Sequence, residues 1–422
     1  MNYKKKVLKN GLRIITVLDK NSPTSTVYCL VETGSKYESK KLNGISHFLE
    51  HMCFKGTKTR TRDEISFELD SIGASNNAFT SMEYTGYYAK AQFRHTDKIL
   101  DVVSDIYLNS TFPEDELEKE KGVVVEEIKM YEDLPQRKIN DVLLELLYGK
   151  NQPAGWSIAG TPENVRSLKK GDLVKYYKEH YVPNATTVVV AGRFDEKKII
   201  QGIEKRFLSI KKSKKNGKLQ VRDSQKKPEV AVHFKKTDQT HFALAFRTFN
   251  MYDKRMPTLS VLDHILGGGM SSRLFKKMRD ELGICYYIKT NTYDLTDHGF
   301  LEILAGVPQK RLAEAVSAIL EELKKMTKKL PSIDEMKKVK DYIAGHLFMG
   351  LESSDDQGSY FGFQEALRQK IKTPEGWLQD INKVTPEDVR KLAKEIFRNN
   401  LLNLAVIGPI KDKKKLQKIL RF

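Results

Sequence analysis

DLVKYYKEHYVPNATTVVVAG (172–192) and DVRKLAKEIFRNNLLNLAVIG (388–408) are two stretches of this chain with the same pattern. In each, an amphipathic helical period leads through a short polar turn into an apolar strand that ends in glycine. The offset of 216 residues is far longer than the roughly 20–50 residues of a solenoid repeat. The pair therefore indicates that a whole domain is duplicated.

Other segments follow nearly the same offset. The strand-like LRIITVL (12–18) corresponds to EVAVHF (229–234), and a helical pattern over 111–135 corresponds to one over 330–356. Sequence order is therefore preserved between the two halves of the chain, as a duplication requires.

A basic, polar stretch, SIKKSKKNGKLQVRDSQKKP (209–228), separates the halves and has no apolar periodicity. Such composition is typical of an exposed connection between domains. We therefore predict an N-terminal domain over 1–210, a basic linker over 211–228 and a homologous C-terminal domain over 229–422.

Alternating runs such as STVYCLVETG (25–34) and YTGYYAKAQF (84–93) predict strands with one face covered, and long helical patterns lie between them. The predicted fold class is α+β. It consists of two homologous domains, each with a mostly antiparallel or mixed sheet and with helices packed on one face.

Bulk composition is that of a globular protein, with 422 residues, 40% hydrophobic and 30% charged. Three cysteines form no close pair, which argues against a disulfide framework. The N-terminal stretch lacks the apolar core of a secretory signal, and no other stretch has the length of a membrane span. These features predict a cytoplasmic protein without membrane attachment.

The net charge of +18 raises the possibility of a nucleic-acid partner. Many lysines, however, fall in runs such as KKSKKNGK (211–218) and KDKKKLQK (411–418), between or after the patterned segments. Solvated segments explain such runs, and no zinc-finger, KH or RNP-type motif accompanies them. We therefore predict no nucleic-acid partner.

The segment LNGISHFLEHMCF (42–54) carries the residues that suggest chemistry. Its apolar residues recur at helical spacing and form one face: Ile45, Phe48, Leu49 and Met52. His47, Glu50 and His51 then share the opposite side. Histidines four residues apart on a helix can bind one metal ion, and H-x-x-E-H is the inverted zincin pattern.

A catalytic zinc needs a third protein ligand, and the acidic helix pattern over 115–133 offers one. Glu120 and Glu127 are seven residues apart and lie on one face of that helix. Glu127 is a candidate ligand, with Glu120 as the partner that orients a ligand. Ordinary surface charge is the alternative explanation for both glutamates.

Taken together, these residues resemble the pitrilysin-type, or M16, metallopeptidases, particularly the subfamily that includes the mitochondrial processing peptidase β subunit and its bacterial relatives. The resemblance covers essentially the whole chain. It implies that His47 and His51 bind Zn²⁺, with Glu127 as the third ligand. It also implies catalytic roles for Glu50, as the base, and for Glu120.

Two further stretches are similar to motifs of that family. In GASNNAFTSMEYTGYY (73–88), Asn77, Ala78 and Thr80 match a substrate-binding edge strand. In GGGMSSRLFKKMRDELGICYYI (267–288), a glycine-rich segment precedes a catalytic arginine and tyrosine, which the resemblance assigns to Arg279 and Tyr286.

Three residues mark the limits of the motif. Cys53 lies two residues beyond His51, so on a helix its side chain should point away from the metal.

In the second half, His264 repeats the second histidine, but Ser260 stands where the first would be. The second half is therefore expected to lack a metal site, and His264 is expected to be structural.

The resemblance implies a zinc endopeptidase that hydrolyses unfolded or targeting-type peptides inside a dimeric chamber. A homodimer is the simplest assembly, and a heterodimer with a related subunit is the other possibility. A non-catalytic partner subunit of the same fold and a basic nucleic-acid-binding protein are the alternative functions. The sequence does not identify the natural peptide.

Overall fold

The computed structural model of the protein describes residues 2–208, 210–368 and 370–422. Within these ranges the chain forms eleven strands: β1 (Lys4–Val7), β2 (Arg13–Leu18), β3 (Thr24–Val31), β4 (Ser75–Thr80), β5 (Thr85–Gln92), β6 (Thr186–Gly192), β7 (Glu229–Phe234), β8 (Thr240–Thr248), β9 (Ile288–Asp294), β10 (Gly299–Val307) and β11 (Leu402–Gly408).

Sixteen α-helices are described in the same ranges. They are α1 (Ile45–Met52), α2 (Arg62–Asp70), α3 (Thr96–Leu108), α4 (Glu114–Asp133), α5 (Pro135–Tyr148), α6 (Pro162–Ser167), α7 (Lys170–His180), α8 (Glu196–Phe207), α9 (Met256–Gly267), α10 (Arg273–Phe275), α11 (Leu312–Lys328), α12 (Ile333–Met349), α13 (Ser354–Arg368), α14 (Pro374–Lys383), α15 (Pro386–Ile396) and α16 (Lys413–Ile419).

The chain divides into two compact units, and each is built from more than one stretch of sequence. Unit 1 comprises Met1–Lys129, Trp156–Leu219 and Phe348–Thr373. Unit 2 comprises Met130–Gly155, Gln220–Leu347 and Pro374–Phe422.

Unit 1 contains a six-stranded sheet in the order β1-β2-β6-β3-β5-β4. Strands β2 and β6 are parallel, and all other neighbours are antiparallel. Helices including α1, α3, α7 and α8 share a hydrophobic core with one face of this sheet. Strand β4 lies at the end of the sheet, where β5 is its one partner strand in the described part of the chain.

Unit 2 repeats this arrangement with a five-stranded sheet in the order β7-β11-β8-β10-β9. Strands β7 and β11 are parallel, and the rest are antiparallel. The order and directions match those of β2-β6-β3-β5-β4 in unit 1. The predicted fold of two homologous α+β domains with mostly antiparallel sheets is confirmed.

Each sheet also has a helix on its second face, and that helix comes from the other half of the sequence. In unit 1, α13 packs against β3 and β6, and its Phe361 and Ala366 share an apolar cluster with sheet residues such as Ile15 and Val189. In unit 2, α5 packs against β8 and β11. The two compact units are therefore not continuous halves of the sequence, because each includes one helix from the other half.

Two glycines allow α13 to approach the sheet closely. A Cβ atom at Gly358 would lie 2.9 Å from the Tyr28 ring, and one at Gly362 would lie 2.9 Å from Leu30 and from Val189. Larger residues at these positions would push the helix away from the sheet. The glycines that weaken α13 as an isolated helix therefore serve its packing.

The predicted linker, 211–228, is divided between the two units. Lys215 forms an ion pair with Glu32 of unit 1, and Lys218 forms one with Glu83, also of unit 1. The backbone N–H of Val221 donates to Asp297 of unit 2 at 3.1 Å. Ionic and hydrogen-bonding contacts thus fix at least part of a segment that composition alone describes as solvated.

None of the helices in the described ranges combines the length and hydrophobicity needed to cross a bilayer.

Candidate metal centre

Helix α1 separates its apolar and polar side chains as the sequence predicts. Ile45, Phe48, Leu49 and Met52 are fully buried in the core of unit 1. His47, Glu50 and His51 are left half-buried on the remaining side of the helix. Core packing therefore fixes the rotation of α1, and with it the direction of the three polar side chains.

A buried carboxylate holds the beginning of α1. Glu38 accepts hydrogen bonds from the backbone N–H of Gly44 at 2.8 Å, from that of Ser46 at 2.8 Å and from the Asn43 amide at 2.9 Å. Gly44 begins the helix with φ +101°, where a Cβ atom would lie 2.6 Å from the Ala159 carbonyl oxygen. These hydrogen bonds satisfy backbone N–H groups at the start of α1, so Glu38 replaces the side-chain cap that Gly44 cannot provide.

Helix α4 brings the third candidate ligand to the two histidines. Oε2 of Glu127 lies 3.7 Å from Nε2 of His47 and 3.4 Å from Nε2 of His51. One potential ligand atom from each residue lies within 4.8 Å of the other two, and this is the only such group of three in the described ranges. One ion can therefore contact all three side chains.

Glu120 lies two helical turns before Glu127 on the same face of α4. Its carboxylate is hydrogen-bonded to Nδ1 of His51. Its Oε1 is 2.9 Å from Nδ1 of His51, while its Oε2 is 2.6 Å from Nζ of Lys55. A carboxylate on the far nitrogen fixes the orientation of a metal-binding histidine. The spacing of the two glutamates predicts this role of Glu120, whereas no sequence pattern marks Lys55, which holds the other carboxylate oxygen.

The two histidines have opposite electrostatic surroundings. Burial, reinforced by the nearby His51, lowers the pKa of His47 to about 4 against the attraction of Glu127. Burial also disfavours the charged form of His51, but hydrogen bonds to Glu120 and Glu127 outweigh it and raise the pKa of His51 to about 9. At neutral pH and without metal, His47 is therefore neutral and His51 is protonated.

Glu50 is close to this group but faces a different partner. Its Oε2 accepts a hydrogen bond of 2.5 Å from the hydroxyl of Thr80 at the end of β4. Burial raises the pKa of the Glu50 carboxyl, and the hydrogen bond from Thr80 and the charge of His51 oppose that rise.

The other two predicted substrate residues lie on the same edge strand. Asn77 is exposed, and its side-chain oxygen accepts a hydrogen bond of 2.9 Å from the N–H of Ala78. Ala78 packs partly against the core of unit 1. Among the described residues β4 pairs only with β5, so its second edge could pair with an extended peptide.

Arg279 and Tyr286 form a pair within unit 2. Nη1 of Arg279 donates to the Tyr286 carbonyl oxygen at 2.6 Å, and its guanidinium carbon lies 5.1 Å from the centre of the Tyr286 ring. Arg279 belongs to a π-helical turn, Lys276–Glu281, and such turns are frequent at functional sites. The Tyr286 residue is 76% exposed.

The remaining candidates are structural in their surroundings. Cys53 is fully buried in the apolar core, and burial raises the pKa of its thiol to about 12, which disfavours the thiolate. His264 is hydrogen-bonded through Nδ1 to the Ser260 carbonyl oxygen at 2.8 Å. The ring of Tyr342 lies 5.8 Å from that of His264 and 4.1 Å from that of His346. An aromatic ring thus lies beside His264, the residue of unit 2 that corresponds to His51.

The residues fit a zinc ion. Two imidazole nitrogens and one carboxylate are a usual set of protein ligands for catalytic zinc, which leaves its fourth position open. The Nε2 atoms of His47 and His51 both point toward Glu127, and Glu120 holds the far nitrogen of His51. Nδ1 of His47 is buried and has no hydrogen-bond partner among the described residues.

The fold and this ligand group define a class: a two-domain chain with a zinc-type site of two histidines and a glutamate in its first unit. Comparisons with known protein families place the chain in the same class. Residues 13–161 match the model of "Insulinase (Peptidase family M16)", and residues 167–343 match that of "Peptidase M16 inactive domain". The chain belongs to the M16 peptidase family.

Similar relatives span nearly the full chain. It is 37% identical over 410 residues to an uncharacterized zinc protease, YmxG, of Bacillus subtilis, covering 96% of this chain and 98% of that protein. It is 32% identical over 409 residues to an uncharacterized zinc protease of Rickettsia felis, covering 97% and 98%.

Solved structures share the fold. A protease from Helicobacter pylori superimposes with a TM-score of 0.88 at 24% identity, covering 97% of this chain and 99% of that chain. A peptidase M16 inactive domain from Pseudomonas fluorescens superimposes with a TM-score of 0.89 at 16% identity, covering 98% and 99%.

Proposed function

We propose that this chain is a zinc-dependent endopeptidase that hydrolyses unfolded or targeting-type peptides. The observation that carries the proposal is the convergence of His47, His51 and Glu127 beside a carboxylate, Glu50, that is not needed as a ligand. The relatives from Bacillus subtilis and Rickettsia felis are named as uncharacterized zinc proteases, which supports the same function.

The roles of the residues follow from their chemistry. A zinc ion held by His47, His51 and Glu127 would polarise the scissile carbonyl and acidify water. Glu50 takes the proton of the attacking water and delivers it to the leaving amine nitrogen. Glu120 keeps the ring of His51 in its binding orientation through Nδ1.

Arg279 and Tyr286 are proposed to act on the other side of the substrate. The developing negative charge on the carbonyl oxygen needs donors that are already in position, and a guanidinium and a phenol provide them. We assign this role to the Arg279 and Tyr286 of a second copy of the chain, so that a homodimer encloses the peptide. A related subunit in a heterodimer is the alternative source.

The position of β4 at the end of its sheet is the reason for proposing an extended peptide as the substrate. A peptide that pairs with β4 gains main-chain hydrogen bonds that do not depend on its sequence. Recognition would therefore be broad in sequence, while a closed dimeric chamber would exclude folded proteins. We propose the cytoplasm as the location of this activity.

The experiment compares three proteins loaded with zinc: the wild type, Glu50→Gln and the matched control Glu118→Gln. Glu118 lies on α4, and its side chain is 69% exposed. With an unstructured fluorogenic peptide library, we expect cleavage by the wild type and the control. Glu50→Gln should lose cleavage by at least about 100-fold, since general bases contribute about 10²–10⁴-fold, and should keep its zinc.

Failure of the zinc-loaded wild type to cleave any peptide in the library would contradict the proposal and favour a non-catalytic partner subunit. Light scattering during turnover tests the assembly separately. A fully active monomer would remove the dimeric chamber while leaving the peptidase assignment in place.

A further inference from the structure

The side chain of Thr80 faces the catalytic carboxylate rather than the free edge of its strand. Side chains alternate along β4, so Ala78 and Thr80 share one face while Phe79 takes the other. Ala78 packs toward the core that contains α1, whereas Phe79 contacts the rings of Tyr84 and Phe363. The face that Thr80 shares with Ala78 is therefore the face beside α1.

The contact between Thr80 and Glu50 is direct. Oγ1 of Thr80 donates to Oε2 of Glu50 at 2.5 Å, within the usual range for a hydroxyl bonded to a carboxylate. Among the described residues, no other hydrogen bond to this carboxylate is observed. Oε2 is thus held by the hydroxyl, and Oε1 is left for proton transfer.

We propose that Thr80 is a positioning residue for the base Glu50. It fixes the carboxylate through one oxygen and ties it to β4, the strand proposed to bind the peptide. This inference rests on the proposed peptidase function. Docking of the peptide and alignment of the base then depend on the same short strand, so a peptide paired with β4 meets a base that is already oriented.

The proposal differs from the role implied by family resemblance, in which Thr80 contacts the substrate. A substrate contact predicts a higher KM when the hydroxyl is removed. A positioning role predicts a lower kcat with little change in KM, because peptide pairing uses the strand backbone and remains intact. A purely structural role predicts lower thermal stability with both kinetic constants retained.

The test uses Thr80→Val, which keeps the shape of the side chain without its hydroxyl, and Thr80→Ser, which keeps the hydroxyl. Thr85→Val is the matched control. Thr85 pairs with Thr80 across the hairpin, and its hydroxyl donates to the Thr33 carbonyl oxygen at 3.0 Å. This control therefore removes one hydroxyl from the same strand pair without touching Glu50.

We expect Thr80→Val to lower kcat by about 10- to 100-fold, the scale of a slightly misplaced catalytic group, with KM within about twofold of the wild type. Zinc affinity, measured by competition with a chelator, should not change. Thr80→Ser should restore kcat to within about threefold, and Thr85→Val should keep kcat while lowering the melting temperature. Wild-type kcat in Thr80→Val, or a rise in KM alone, would overturn the proposal.

A crystal structure of Thr80→Val provides a readout that does not depend on activity. The proposal predicts that the Glu50 carboxylate leaves its wild-type position or becomes disordered. If the Glu50 carboxylate of Thr80→Val keeps its wild-type position, the positioning role is wrong, whatever the activity of the variant. An inactive wild type with a displaced Glu50 in the variant would instead refute the peptidase assignment.

Discussion

Zinc binding should release a proton from His51, and its affinity should therefore depend steeply on pH. Hydrogen bonds to Glu120 and Glu127 overcome the effect of burial and raise the pKa of this histidine to about 9. A protonated imidazole cannot bind a metal, so protons compete with zinc at every pH below that value. His47, whose pKa is lowered to about 4, is already neutral and adds no competition near pH 7.

The size of the effect follows from the distance between the pKa and the working pH. At pH 7, deprotonation of a group with a pKa of about 9 costs about 3 kcal/mol, at about 1.4 kcal/mol per pH unit. Apparent zinc affinity should then rise about tenfold per pH unit from pH 6 to pH 8 and level off above about pH 9.

The assay is competition with a chromophoric chelator, corrected for the chelator's own protonation, at pH 6, 7 and 8. Calorimetry at pH 7 in two buffers of different ionisation enthalpy should count about one proton released per zinc. In Glu120→Gln, His51 loses its charged partner, so fewer protons should be released and affinity at pH 8 should fall by about 10- to 100-fold. Equal corrected affinity at pH 6 and pH 8 would refute the reasoning.

Three further predictions concern stability and metal content. Burial raises the pKa of Glu38 to about 7 despite its hydrogen bonds, so this residue contributes stability below about pH 4.5 that is lost as the pH rises through 7. Between pH 4.5 and pH 8, the unfolding free energy of the wild type should fall by about 3 kcal/mol relative to that of Glu38→Gln, as measured by urea titration. If the unfolding free energies of the two proteins change with pH in parallel, this prediction is wrong. His264→Ala should retain the wild-type zinc content by elemental analysis, whereas a loss would indicate a second site in unit 2. Residues 1–210 expressed alone should bind a hydrophobic dye such as ANS, because α13 is missing from one sheet face, and a peptide of residues 348–373 should reduce that binding.

Local periodicity predicts the duplication and the helix faces that carry the candidate residues, whereas the ligand set itself came from the family resemblance. The apolar positions of α1 fix which side carries His47 and His51, and the spacing of seven places Glu120 and Glu127 on one face of α4. Helical period and strand pattern are local properties of the sequence, so they can be read before the fold is known.

Contacts between distant parts of the chain could not be predicted in this way. The exchange of α5 and α13 carries no local signal, because an apolar helix face does not specify which sheet it covers. Glu38 and Lys55 are ordinary charged residues in the sequence, and only the fold shows that they hold α1 and Glu120. For Thr80, the strand pattern indicates which face it occupies but not that α1 lies there.

Zinc content and peptide cleavage in two neighbouring variants of α4 test the central claim most directly. Glu127→Gln removes the proposed third ligand, whereas Glu126→Gln changes a side chain that is 70% exposed and paired with Lys129. We predict that Glu126→Gln keeps one zinc per chain and wild-type cleavage, while Glu127→Gln loses both. Full zinc content and activity in Glu127→Gln would contradict the proposed metal centre.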